Sequence, residues 1–145
     1  MTALATIRER LGDVPVDVAL VLGSGLAGLV NMIEDATIIP YRDLAGFPGH
    51  GSATMVSGHG SDLVIGRLHG KTVAVLTGRE HYYERGNAAA MRVPLETLAA
   101  MGAKTLMLTN AAGSLDEKAR PGDLMLISDH INYAGANPLI GENSD

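Results

Sequence analysis

Short apolar runs that each stop at glycines or other small residues restrict the fold of this chain more than any other feature. Val16 to Leu22 (VDVALVL) stops at Gly23-Ser24-Gly25, Lys71 to Thr77 (KTVAVLT) at Gly78, and Lys104 to Thr109 (KTLMLT) at Asn110-Ala111-Ala112-Gly113. The runs are apolar and rich in β-branched residues, as strands buried on both faces must be. Pro15 suits the start of the first. Strands of this kind, separated by helical stretches, predict an α/β fold with a mixed, largely parallel twisted sheet flanked by helices.

The intervening stretches agree with that architecture. Thr2 to Gly12 (TALATIRERLG) predicts a short amphipathic helix ended by Gly12, and Leu26 to Ile33 predicts a second helix. Thr37 to Tyr41 is a weaker extended piece, which Pro40 confines to an edge or a strand end. Phe47 to Ser61 (FPGHGSATMVSGHGS) reads as a loop from its glycines and serines. Asp62 to Leu68 and Lys71 to Thr77 form a hairpin that turns at His69-Gly70. Asn87 to Met101 predicts a helix kinked or restarted near Pro94 and capped by Gly102. Pro121-Gly122-Asp123 turns the chain into a last strand, Leu124 to Ser128, and the tail after Ile131 reads as loop. With no internal repeat and no linker, residues 1–145 are expected to form one domain.

Composition removes several classes of function. There is no cysteine, so disulfides and thiol chemistry are excluded, zinc would need histidines and carboxylates alone, and no metal site is expected. Eleven basic against sixteen acidic residues leave a net charge of −5, one Phe and no Trp. That balance supplies neither a basic stripe nor a stacking platform for nucleic acid. Apolar stretches fall well short of the ~20 residues of a membrane span, and the N-terminus lacks a basic region followed by an apolar block. A soluble, cytoplasmic protein with no membrane partner is expected. Glycine is abundant, at 18 of 145 residues, without low complexity. Such glycines serve tight turns where backbone approaches a ligand.

Gly23-Ser24-Gly25-Leu26-Ala27-Gly28 matches G-x-G-x-x-G between a strand and a helix, the setting of a dinucleotide fingerprint. That reading also wants an acidic residue roughly 20 positions on, at the end of a second strand. Asp43 is near that spacing but leads into LAGFPGH, a poor strand. Turn amides and a helix N-terminus bind an oxyanion under either reading, and Ser24 adds a hydroxyl. An ordinary strand-to-helix turn needs the same glycines.

Gly78-Arg79-Glu80-His81-Tyr82-Tyr83-Glu84 emerges directly from a buried strand, where open α/β sheets place their ligands. Arg79 has the planar fork that binds phosphate in bidentate fashion. His81 can donate to an anion, Tyr83 offers a hydroxyl beside a ring face, and Glu84 can orient His81. A charged loop of solvated pairs would carry the same residues. At Asn110-Ala111-Ala112-Gly113, small side chains leave backbone amides open to a ligand, though close packing of helix on strand needs them equally. Three such strand ends with one arginine and one or two histidines describe a phosphate pocket.

The motifs LGSGLAGL, SGHGSDLVIGRLHGK, GREHYYERG, TNAAGSL, RPGDLMLISDHIN and NPLIGEN resemble, in order and spacing, the trimeric purine nucleoside phosphorylase family from about residue 18 onward. The resemblance turns the glycine loop away from a dinucleotide site. It implies inorganic phosphate as co-substrate, no other cofactor, and phosphorolysis of a purine (deoxy)ribonucleoside to free base and (deoxy)ribose 1-phosphate, by a homotrimer. By resemblance, Ser24, His59, Arg79, His81 and the Ala111 amide bind phosphate, and Tyr83 contacts the ribose, with Ala111, Ala112 and Gly113 along the nucleoside. His81 and its partner Glu84 take the catalytic positions. Glu80, Arg85 and Ser57 differ from the commoner family choices at those places. Members of the family are close to twice this length, so the resemblance implies an N-terminal half, with the base-binding residues beyond position 145. A truncated, non-catalytic phosphate-binding or oligomerising module is the alternative reading, and a Rossmann-type dinucleotide-binding domain a distant third.

Overall fold

The computed structural model of the protein describes residues 1–51 and 60–142. Five strands form one sheet, β1 (Val18–Val21), β2 (Glu34–Pro40), β3 (Asp62–Leu68), β4 (Lys71–Leu76) and β5 (Thr105–Leu108), in the order β2-β3-β4-β1-β5. β1 pairs in parallel with both β4 and β5, while β3 is antiparallel to β2 and to β4. The sheet is therefore mixed, as its sequence predicts. The hairpin between β3 and β4 turns at His69 and Gly70, with φ of 49° and 76°, the two left-handed residues of a type I′ turn.

Alternation along each strand sorts the apolar side chains into two cores. Ala19, Val21, Leu63, Ile65, Ala74 and Leu76 face one side, where they meet Ala3 and Ile7 of α1 (Ala3–Leu11) and Leu98 of α3 (Arg92–Ala100). Leu20, Leu22, Val64, Val73 and Val75 face the other, beside Leu29, Val30 and Ile33. β1 lies inside the sheet, between β4 and β5, and serves both cores, which is why its run has no polar alternation. α1 starts at the predicted place, Thr2 accepting from the Ala5 N–H at 3.3 Å, and ends at Gly12, whose N–H donates to the Arg8 carbonyl at 2.8 Å.

Four expectations change. Residues Ala27–Met32 form a 3₁₀ helix and not an α-helix; in this short piece only Leu29 and Val30 pack against the sheet. The helix expected from Asn87 begins only at Arg92, after turns over residues 88–91, so Pro94 stands in its first turn, where a missing N–H costs nothing. β5 is exposed where a buried strand is expected, because it is an edge with one neighbour; Leu108 is 67% exposed. Leu124 to Ser128 forms no strand, since none of the described strands pairs with it; Leu124 and Leu126 are 96% and 95% exposed. β2, by contrast, is the edge strand that Pro40 requires.

Candidate functional site

Because β1, β4 and β5 run parallel and β3 runs against β4, three carboxyl ends and the start of β3 share one edge of the sheet. A cleft of about 70 Å³ opens there, several times the space one water needs and sufficient for a small oxyanion. Leu22, Gly23, Ser24, Gly25 and Ala27 line it from β1, Gly60 from before β3, and Thr77, Gly78, Arg79 and His81 from after β4.

Threonines hold these ends together. The Thr109 N–H and hydroxyl each donate to the Val21 carbonyl at 3.0 Å, and the hydroxyl oxygen accepts from the Gly23 N–H at 2.9 Å. Thr77 repeats the device: its N–H and hydroxyl donate to the Asp62 carbonyl at 3.0 Å, and its oxygen accepts from the Asp62 N–H at 3.0 Å. Pairing thus continues one step past the strands. The backbones approach so closely that a Cβ at Gly23 would lie 2.6 Å from the Thr109 carbonyl oxygen, and one at Gly78 2.2 Å from that of Gly60. Only glycine permits such contacts.

Arg79 lies across the ends of β1 and β5, its Nη1 donating to the Thr109 carbonyl at 2.8 Å and to the Leu22 carbonyl at 3.5 Å. A guanidinium carries five donors, so the remainder of the fork is available to an anion. Tyr41, which follows β2, reaches the same edge and donates from its hydroxyl to the Gly78 carbonyl at 2.8 Å. Its ring is buried edge-on against Phe47 with centroids 5.3 Å apart. Burial pushes the Tyr41 pKa up, Asp62 adding to the effect and the Gly78 bond opposing it; the hydroxyl stays protonated and keeps its bond.

His81 opens α2 (Tyr82–Arg85). Glu84 Oε1 accepts from the His81 backbone N–H at 2.9 Å and lies 2.9 Å from its Nδ1. A carboxylate only accepts, so that contact puts a proton on Nδ1 and fixes the ring. Tyr83 stacks on His81, with centroids 5.0 Å apart and planes 16° from parallel, and is 78% exposed. Glu80 faces Arg85 at 3.9 Å.

Ser24, Arg79 and His81, singled out from sequence, thus share one cleft, with Glu84 and Tyr83 touching His81 from outside it. Ala111, Ala112 and Gly113 follow β5 but are exposed and do not line the cleft. His59 lies outside the described residues. Sequence reasoning missed Thr77, Thr109 and Tyr41. The two threonines had a visible signal, since KTVAVLT and KTLMLT both end in Thr immediately before the small-residue turn; Tyr41 had none. A larger groove of about 350 Å³ lies between α3 and residues 138–142, closed by paired bonds from Arg92 to Glu142. Among the described residues no His, Asp or Glu cluster has the makings of a metal site, and no helix is long and apolar enough to cross a membrane.

Comparison with known proteins adds an independent line. Residues 17–145 match the family described as the phosphorylase superfamily. The chain is 46% identical to purine nucleoside phosphorylase 1 of Geobacillus stearothermophilus over 137 residues, 94% of this chain and 48% of that protein. It is 41% identical to purine nucleoside phosphorylase 1 of Bacillus subtilis over 141 residues, 97% of this chain and 50% of that one. Among solved structures, isoform 2 of purine nucleoside phosphorylase from Schistosoma mansoni, crystallised with cytosine and ribose-1-phosphate, superposes with a TM-score of 0.83 at 34% identity. That match covers 98% of this chain and 49% of the other. The chain spans about half the length of the relatives it matches.

Proposed function

The chain belongs to the phosphorylase superfamily, and from that premise we propose that it carries the phosphate-binding part of a purine nucleoside phosphorylase. The reaction breaks the glycosidic C–N bond of a purine (deoxy)ribonucleoside, the electron pair leaving on the base, and joins a phosphate oxygen to the anomeric carbon. Free base and (deoxy)ribose 1-phosphate result. The observation that carries the reading is the meeting of the Ser24 turn, Arg79 and His81 in one cleft at the strand ends.

In that cleft the turn amides, the Ser24 hydroxyl, Arg79 and His81 would hold the phosphate dianion beneath the anomeric carbon. There its charge stabilises the oxocarbenium-like sugar that forms as the base departs, and its position makes capture nearly unimolecular. Glu84 would fix the His81 ring and Tyr83 would contact the ribose; by the family resemblance the Ala111 amide and His59 would also bind phosphate, and Ala111, Ala112 and Gly113, which follow β5 outside this cleft, would lie along the nucleoside. Phosphate is a co-substrate, and the chemistry needs no further cofactor or metal. A homotrimer in the cytoplasm is part of the same proposal.

Phosphate-dependent release of hypoxanthine from inosine by the purified chain tests it directly. Turnover that requires phosphate supports the full reading. No turnover at high protein concentration, with phosphate still raising the melting temperature, would leave a phosphate-binding module that is not a phosphorylase by itself.

A further inference from the structure

We propose that Thr109 is a positioning residue of the anion site, setting both the glycine turn and the arginine fork while touching no substrate itself; this deepens the phosphate reading and rests on it. Three polar groups of this one residue face three parts of the site. Its N–H and hydroxyl donate to the Val21 carbonyl at 3.0 Å, which locks β5 to the last residue of β1. The hydroxyl oxygen accepts from the Gly23 N–H at 2.9 Å, the amide that leads into Ser24 and Gly25. Its carbonyl accepts from Arg79 Nη1 at 2.8 Å.

Each contact removes one freedom that an anion site cannot have. Gly23 is the most pliable residue type at the point where the turn begins; a single fixed N–H decides which way the amides after it face. An arginine side chain has several rotatable bonds, and an anchored Nη1 leaves the fork oriented before the ligand arrives, so less order is lost on binding. Thr77 makes the same hydroxyl clamp one strand pair away, but to Asp62 and not to the phosphate-facing turn. Thr109 is therefore the threonine that links turn, strand and cation.

The test measures inorganic phosphate affinity by calorimetry for the 145-residue chain, three Thr109 variants and an Arg79→Ala control, with amide hydrogen exchange at Gly23 as a second readout. Thr109→Val keeps the shape and the backbone carbonyl but deletes the hydroxyl, leaving the Gly23 amide without its partner. We expect phosphate affinity to fall by about tenfold and the Gly23 amide to exchange faster before any ligand is added. Thr109→Ser, which keeps the hydroxyl, is expected to bind within about twofold of wild type, and Thr109→Ala carries the same test as valine if the valine variant does not fold. A role confined to stability would lower the melting temperature of all three without this ordering. Valine or alanine variants that bind phosphate as tightly as wild type overturn the Thr109 assignment alone. A wild-type chain that binds no phosphate, with an Arg79→Ala control equally inert, overturns the anion reading and this proposal together.

Discussion

Arg79 and Tyr41 act on the same end of the sheet by different physics. Arg79 is the cation of the cleft and is tied to two strand-end carbonyls. Its replacement by alanine should cost phosphate binding about 1.5–3 kcal/mol, the worth of a charged hydrogen bond. Arg79→Lys should fall between, because a point charge cannot span two carbonyls and an anion at once. The measurement is the rise in melting temperature with added phosphate; equal protection in wild type and alanine variant would contradict it. Tyr41 works through the backbone of Gly78. Its pKa is raised from 10.0 on folding, so the unfolded chain ionises first. Its stabilising share is complete below pH 10 and is lost as pH rises toward the folded value. Tyr41→Phe should be less stable than wild type at neutral pH, and the gap should narrow above pH 10. Denaturant melts at pH 7 and pH 11 would show a constant gap if the phenol were not the cause.

At the scale of elements, the edge strand β2 shows how pairing and burial separate neighbours. Ile39 is fully buried against the helix-covered core, whereas Ile38, one residue earlier, is 61% exposed on the opposite face. Ile39→Ala should therefore cost about 2–5 kcal/mol, and Ile38→Ala should stay within about 1 kcal/mol; urea melts that give equal losses would contradict this assignment of faces. The interior strand β1 has no such asymmetry, since Ala19 and Val21 serve one core and Leu20 and Leu22 the other. The same sequence character that makes β1 a two-sided strand is present in β5, yet β5 has β1 on one side and none of the described strands on the other.

At the scale of the whole chain, β5 presents that edge to solvent. Leu106, Met107 and Leu108 are 45%, 52% and 67% exposed, and an apolar edge with unpaired backbone groups recruits another strand. We expect the chain to associate with rising concentration, and Leu108→Lys to reduce that association in sedimentation velocity without loss of the fold. Unaltered association would place the contact elsewhere. How much of this was legible beforehand depends on the range of the interaction. The α1 caps, the β3–β4 hairpin and the two-sided runs are local, because capping, turn dihedrals and side-chain alternation are set by residues a few positions apart. Ser24, Arg79 and His81 could be picked out because each follows directly on a strand end. Leu124 to Ser128 has as good a strand pattern as Lys104 to Thr109, but a strand exists only when a neighbour supplies its hydrogen bonds, and no local pattern states whether one does. By itself the sequence determined the α/β class, the turns and the strand-end residues Ser24, Arg79 and His81 of the candidate site. Tertiary structure alone decided that β1 lies between β4 and β5, and hence that Thr109 meets Gly23 and Arg79 and that Tyr41 meets Gly78, because those contacts join residues brought together by strand order and not by sequence spacing.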